Sequence, residues 1–291
     1  MKLHHILLLA FGVAVCTVSA QATGAGGGTT LTPTPRDRAY DVDREPDRRL
    51  VPYPYMRQSD VMWERRVIRE VDMREKINHP FYYPDRPTNG RKNFITVVIN
   101  ALTTESDKYF AYDPKTDDFL VQMSSNDVAS IGAFRDTQWV PEPDPPYNLV
   151  QKVVDEPFDP TTVKRFQIKE DWILEKQRSV MTVRILGICP QRGVFDRSTG
   201  EFKYNTAMYW IYFPNFRPVF AVNEVYNPQN YAQRLSFDDL FEKRVFSSKV
   251  LKFDNVYDRR IEEYTKGIPA LLEGERIKGE IFTYEHDLWE Q

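Results

Sequence analysis

The run Ala207-Met208-Tyr209-Trp210-Ile211-Tyr212-Phe213 contains no charge and is dominated by aromatic and β-branched residues. Such a run reads as a strand covered on both faces. Upstream, Thr182 to Ile188 is a second strand candidate, and Asp196 to Gly200 between the two supplies turn residues. Downstream, Phe216 to Tyr226 fits another strand or a short helix. Ser236 is placed to cap a helix starting near Phe237, with Asp238 and Asp239 well sited in its first turn. Pro269 opens a last helix in which Ile277, Ile281, Tyr284 and Leu288 share one narrow stripe. Gly274 and Gly279 weaken that helix by roughly 1 kcal/mol each, so it must be stabilised by docking. Residues 161–291 thus predict an α+β region, a mixed sheet with flanking helices.

Residues 141–160 hold six prolines, including Pro145-Pro146. Such a stretch suits neither a helix nor a central strand, which makes it a Pro-rich connection. Residues 59–140 ahead of it read as a mainly helical region. Ser59 or Asp60 caps a helix in which Val61, Trp63, Val67, Ile68 and Val71 fall on one side, with Arg65, Arg69, Asp72 and Lys76 on the other. Asp72 with Lys76 and Glu70 with Arg74 are spaced for intrahelical ion pairs, and Asn78-His79-Pro80 ends the segment. Phe94 to Leu102 is apolar and β-branched, and periodicity alone does not choose helix or strand for it. Asp113 to Asp118 looks like a polar connection between short strands at Tyr109-Phe110 and Phe119 to Met123.

The N-terminus carries Lys2, an apolar run from Ile6 to Val15, and Val18-Ser19-Ala20, the parts of a secretory signal peptide over residues 1–20 with cleavage between Ala20 and Gln21. The run is too short to span a bilayer, so no direct membrane span is expected. Cys16 raises lipid attachment, but Val15 is bulkier than the small residue that would precede a lipidated Cys. With Cys16 removed, Cys189 is the remaining thiol, so packing rather than a disulfide holds the chain. Its apolar setting before Pro190 reads as a buried small hydrophobe. Residues 21–58, with Gly24 to Gly28 and then scattered prolines and alternating charges, read as a flexible arm. Tyr53 and Tyr55 between prolines raise docking of its end on a surface, against the simpler reading of a plain linker.

Lysine and arginine number 39 against 42 acids over 291 residues, for a formal charge of −3. That balance excludes nucleic acid as a bulk electrostatic partner. Beyond the leader the histidines are His79 and His286, far apart, so zinc-ligand spacing is missing and no metal is expected. His79 reads as a helix-end residue. Glu170-Asp171, Asp238-Asp239 and Glu262-Glu263 are paired acids, but adjacency in sequence does not make a catalytic pair. Nucleophile, phosphate-loop and dinucleotide motifs are lacking, so neither catalytic residues nor a cofactor are expected.

Three blocks stand together. Val61-Met62-Trp63-Glu64-Arg65-Arg66-Val67 runs into Asp72-Met73-Arg74-Glu75-Lys76-Ile77-Asn78-His79-Pro80. Ile168-Lys169-Glu170-Asp171-Trp172 leads through Lys176-Gln177-Arg178-Ser179-Val180 to Tyr209-Trp210-Ile211-Tyr212-Phe213-Pro214. Thr283-Tyr284-Glu285-His286-Asp287-Leu288-Trp289 follows Phe237-Asp238-Asp239-Leu240-Phe241 and Asn255-Val256-Tyr257-Asp258-Arg259. In this order, from about residue 59 to the end, the chain resembles the GldN/PorN family. The resemblance implies a non-enzymatic periplasmic part of the type IX secretion and gliding machinery, beneath the outer membrane. Implied partners are an outer-membrane lipoprotein of the GldK or PorK type, inner-membrane motor proteins of the GldL and GldM type, and further copies in a ring.

Tyr, Trp and Arg dominate interface hot spots. Tyr53, Tyr55, Trp63, Arg69, Trp172, His286 and Trp289 are therefore the candidate partner contacts, whereas Trp210 reads as core. The competing class is a periplasmic cell-wall sugar-binding or glycoside-acting protein, with Glu170 and Asp171 as its acids.

Overall fold

The computed structural model describes residues 50–88, 90–131, 134–141, 149–156, 158–196, 199–230 and 232–287, with backbone alone for 134–141 and 149–156. The first half contains β1 (Val61–Asp72), α1 (His79–Tyr82), α2 (Phe94–Thr104), β2 (Ala111–Tyr112), α3 (Ser125–Ser130), β3 (Phe134–Pro141) and β4 (Leu149–Glu156). The second contains β5 (Val163–Glu175), β6 (Val180–Phe195), β7 (Phe202–Ala207), β8 (Trp210–Tyr212), α4 (Phe213–Val222), β9 (Glu224–Val225) and β10 (Leu235–Ser236). It ends with α5 (Phe237–Glu242), β11 (Lys249–Phe253), α6 (Ile261–Tyr264) and α7 (Ile268–Asp287). One seven-stranded sheet runs β11-β1-β5-β6-β8-β2, with β7 on β6, and its pairings are antiparallel. The pairs β9 with β10 and β3 with β4 form separate ribbons. The expected α+β class stands.

Register divides the sheet's central strands into two unlike faces. Val67, Arg69 and Val71 on β1 lie opposite Glu170, Ile168 and Phe166 on β5, while Arg66, Ile68 and Glu70 lie opposite Asp171, Lys169 and Gln167. Successive side chains alternate sides, so the first set shares one face and the second set the other. On the first face Val71, Phe166 and Ile168 join the main core with α2, α4 and α5. Phe94 is its hub, with ring centroids 5.0 Å from Phe166, 5.2 Å from Phe220 and 5.3 Å from Phe241. Each fully buried Phe contributes about 1.5–3 kcal/mol of transfer free energy. A smaller core, Val67, Val250, Ile261, Ile277 and Ile281, lies beneath α7.

The segment expected to be a helix from Ser59 is instead β1 after a short 3-10 turn. Residues 67–71 are all buried, as for a strand with both faces covered. Its charges find partners across strands rather than along a helix: Arg66 on Asp171 at 2.8 Å, and Glu70 on Arg165 at 3.2 Å and Lys249 at 2.9 Å. Asp72 holds Arg74 two residues on, at 2.5 Å, and not Lys76. The first half therefore carries more strand than expected. His79 opens α1 rather than closing a helix.

Phe94 to Leu102 is helical, capped by Asn93 accepting from Thr96 N–H at 2.9 Å. Within 141–160, Leu149–Glu156 pairs with Phe134–Pro141 in a separate two-stranded ribbon, so the stretch holds an outlying strand, neither a helix nor a central strand. Ala207 to Phe213 is not one strand: Ala207 ends β7, and β8 is only Trp210–Tyr212, because Phe213-Pro214 starts α4, where proline suits the first turn. Ser236 caps α5 as expected, in a reciprocal capping box with Asp239. In α7, Gly274, Ile277 and Ile281 are buried. A Cβ on Gly274 would meet the Val250 carbonyl oxygen at 3.4 Å, so this glycine permits the close approach to β11.

Candidate functional site: an arginine and tryptophan network under the last helix

Glu170 is fully buried at the middle of β5. A carboxylate there needs donors from every side. Arg244 Nη2 donates to both of its oxygens at 3.1 Å, the Trp172 indole N–H donates at 3.2 Å, and Arg69 Nε lies 3.1 Å away in ion-pair contact. Both guanidinium carbons lie 5.3 Å from the Trp172 ring centroid, a cation–π arrangement. Burial pulls Arg69 below the usual arginine range, offset by the Glu170 charge.

Arg244 follows α5 with φ +54°. Its N–H bonds Phe241 O at 3.1 Å and Val245 N–H bonds Leu240 O at 3.0 Å, a helix end at which glycine is the usual residue. Holding arginine in the left-handed region costs about 1 kcal/mol. The side chain placed there compensates, reaching Glu170 and standing 5.4 Å from the Phe246 ring.

Above the network is a cavity of about 380 Å³, walled by Arg69, Trp172, Arg244, Phe246, Phe282 and Glu285 among others. Along α7, Ile268, Leu271, Leu272 and Phe282 are more than half exposed, opposite or beside the buried Ile277 stripe. Trp63 lies flat on Tyr284 of the same helix, centroids 4.8 Å apart.

A second polar anchor holds residues 51–54 as a strap. The Tyr53 ring lies 4.1 Å from the Arg217 guanidinium and 5.4 Å from that of Arg184, and its hydroxyl donates to Glu242. Arg217 also donates to the Val51 carbonyl at 3.1 Å and Arg184 to the Pro54 carbonyl at 2.6 Å. Burial, then Glu242, push the Tyr53 phenol upward. Residues 51–54 thus dock on the chain's own surface through Tyr53, where the plain-linker reading had no such contact.

Of the expected contacts, Arg69 and Trp172 meet in one network, and Trp63 reaches the same helix by way of Tyr284. Tyr53 is held by its own chain, while Tyr55 is 88% exposed. His286 is exposed near the end of α7, its ring 6.5 Å from Phe282. Ala20, Gln21 and Trp289 lie outside the described residues, as do Cys16 and Leu288. Sequence reading missed Arg244, whose only signal is a basic residue just after a helix end, and Glu170 as its shared partner.

Glu170 and Asp171 point to opposite faces, the first onto Arg69 and Arg244 and the second onto Arg66 at 2.8 and 3.1 Å. They do not form a carboxylate pair across a cleft. Cys189 is completely buried and its thiol is pushed up to about 12 by burial, the expected packing role. Trp210 is core, as read. Among the described residues no cluster of His, Cys, Asp and Glu is arranged to hold a metal ion. Nor is any helix there long and apolar enough to cross a membrane.

The described residues thus combine a buried guanidinium network with exposed apolar side chains on the last helix. The family model described as gliding motility associated protein GldN matches residues 56–290, and the chain belongs to that family. None of the curated proteins matches it.

Proposed function

We propose that this protein is a structural subunit of the periplasmic ring of the type IX secretion and gliding machinery. In this reading the chain is exported, cleaved between Ala20 and Gln21, and held at the inner face of the outer membrane. It assembles there with a lipoprotein of the GldK or PorK type, with further copies of itself, and with motor proteins of the GldL and GldM type. It performs no bond-making chemistry. The observation that carries the reading is the outer side of α7, where Ile268, Leu271, Leu272 and Phe282 stand exposed on a helix already docked by its other side. Apolar residues grouped in this way are a contact surface awaiting a partner. A ring further requires two different complementary surfaces on each copy.

The test is co-expression of this chain with the lipoprotein, detergent extraction and particle imaging. Both chains in one particle far larger than a monomer are expected, and Leu271→Ser with Leu272→Ser should deplete those particles. A chain recovered only as monomer beside abundant lipoprotein would refute the reading.

A further inference from the structure

The cationic pair at the Trp172 cavity is not neutralised from within. Among the described residues Glu170 is the one carboxylate in ion-pair contact with either guanidinium, and Arg69 and Arg244 share it. Lys278, on the same wall, is matched by Glu275 at 2.7 Å. Glu285 lines the cavity without pairing with either arginine. Arg69 is only 7% exposed, and its Nε lies 3.1 Å from Glu170, the carboxylate it must share with Arg244. Arg244, part-exposed on the same wall, gives Glu170 its Nη2 alone, which leaves further guanidinium N–H groups for an anion's lone pair. The left-handed backbone at Arg244 is a second sign, since strain of this kind collects at ligand clamps.

We propose that this cavity docks the carboxylate of an acidic side chain on a partner's peptide segment, with an adjoining apolar side chain laid against Phe282. The proposal deepens the assembly reading and rests on it for the partner being a protein. Two arginines over one shared glutamate leave a single positive charge, which one carboxylate balances. A phosphate dianion would exceed that charge and meet Glu285 at the rim. The space of about 380 Å³ admits one or two side chains. Phe282, 68% exposed beside it, supplies the apolar landing.

The test titrates the purified full chain calorimetrically with acetyl-Gly-Glu-Phe-Gly-amide and with the same peptide carrying Gln for Glu. The acid should bind at least about tenfold tighter, the value of one charge-assisted bond to a desolvated cation. Glu285→Gln, which removes the repelling rim charge, should tighten the acid peptide about threefold and leave the amide peptide unchanged. Phe282→Ala, at an exposed position that spares the fold, should weaken the acid peptide. Equal affinity for the two peptides, no binding of either, weaker acid binding in Glu285→Gln, or stronger competition by inorganic phosphate than by acetate would each overturn the site. Large particles with the lipoprotein but no peptide binding would sink this cavity alone. Peptide binding without such particles would sink the assembly reading.

Discussion

At the scale of single residues, the protein pairs buried charge closely and leaves a few polar atoms alone. Glu170 is shared by two guanidiniums at a fully buried position. Glu170→Ala should therefore destabilise by about 3 kcal/mol, since it strands buried charge rather than deleting a pair. Glu170→Gln should lose less, and urea unfolding ranks the two. Tyr209 behaves oppositely. Its ring is core, but its hydroxyl is buried without a hydrogen-bond partner among the described residues. Tyr209→Phe should raise stability by up to about 1 kcal/mol, because it removes a desolvated hydroxyl and no bond. A loss of stability in the same urea experiment would contradict that account.

At the scale of elements, α7 contains two glycines in different surroundings. An added methyl group at Gly279 meets nothing within 4 Å, whereas at Gly274 it comes into van der Waals contact with the Val250 carbonyl oxygen at 3.4 Å, with little room to spare. Gly279→Ala should stabilise by about 0.5–1 kcal/mol, the helix-propensity difference, while Gly274→Ala should gain nothing or lose. Paired thermal melts check both. α7 and α5 were legible because their signals are local: a proline at the start, a Ser236–Asp239 box, apolar residues at helical spacing.

β1 was not legible, because Val61, Val67, Ile68 and Val71 fit a helical stripe as well as a strand. What decides is Arg66, Arg69 and Glu70 finding Asp171, Glu170 and Arg165 on β5, far away in sequence. Val97-Val98-Ile99 shows the converse, a β-branched run made helical by the Asn93 cap and a buried face. Likewise Arg69 and Trp172 could be singled out by type, but their convergence with Arg244 on one carboxylate depends on the sheet register.

At the scale of the whole molecule, the second sheet face is a lattice of charges, with Arg66 on Asp171 and Arg165 on Asp72 across strands and Lys169 on Asp117 of the loop after β2. Burial alone would lift the Asp117 carboxyl, but Lys169 by charge and hydrogen bond holds it below the usual aspartate range. Asp72 is likewise lowered despite burial, through Arg74 and Arg165. A carboxylate whose folded pKa lies below its unfolded value stabilises the fold above that unfolded value. The stabilisation is lost as pH falls from about 3.8 through the folded pKa. Stability to urea should accordingly be flat near neutrality and fall steeply below about pH 4. Asp117→Asn should flatten part of that acid limb, as read from unfolding curves at stepped pH.

The strap at Tyr53 and the strand that follows it are the first described parts a pull on the N-terminal arm would meet. The strap is held by a few side-chain contacts, the Tyr53 ring among Arg217, Arg184 and Glu242 and the carbonyls of Val51 and Pro54. β1 is bonded along its length to β5 and, toward its far end, to β11. Traction along that strand strains many rungs together instead of opening them one after another. The two in series form a weak link ahead of a stiff anchor, so the arm could slip under load while the sheet stays whole.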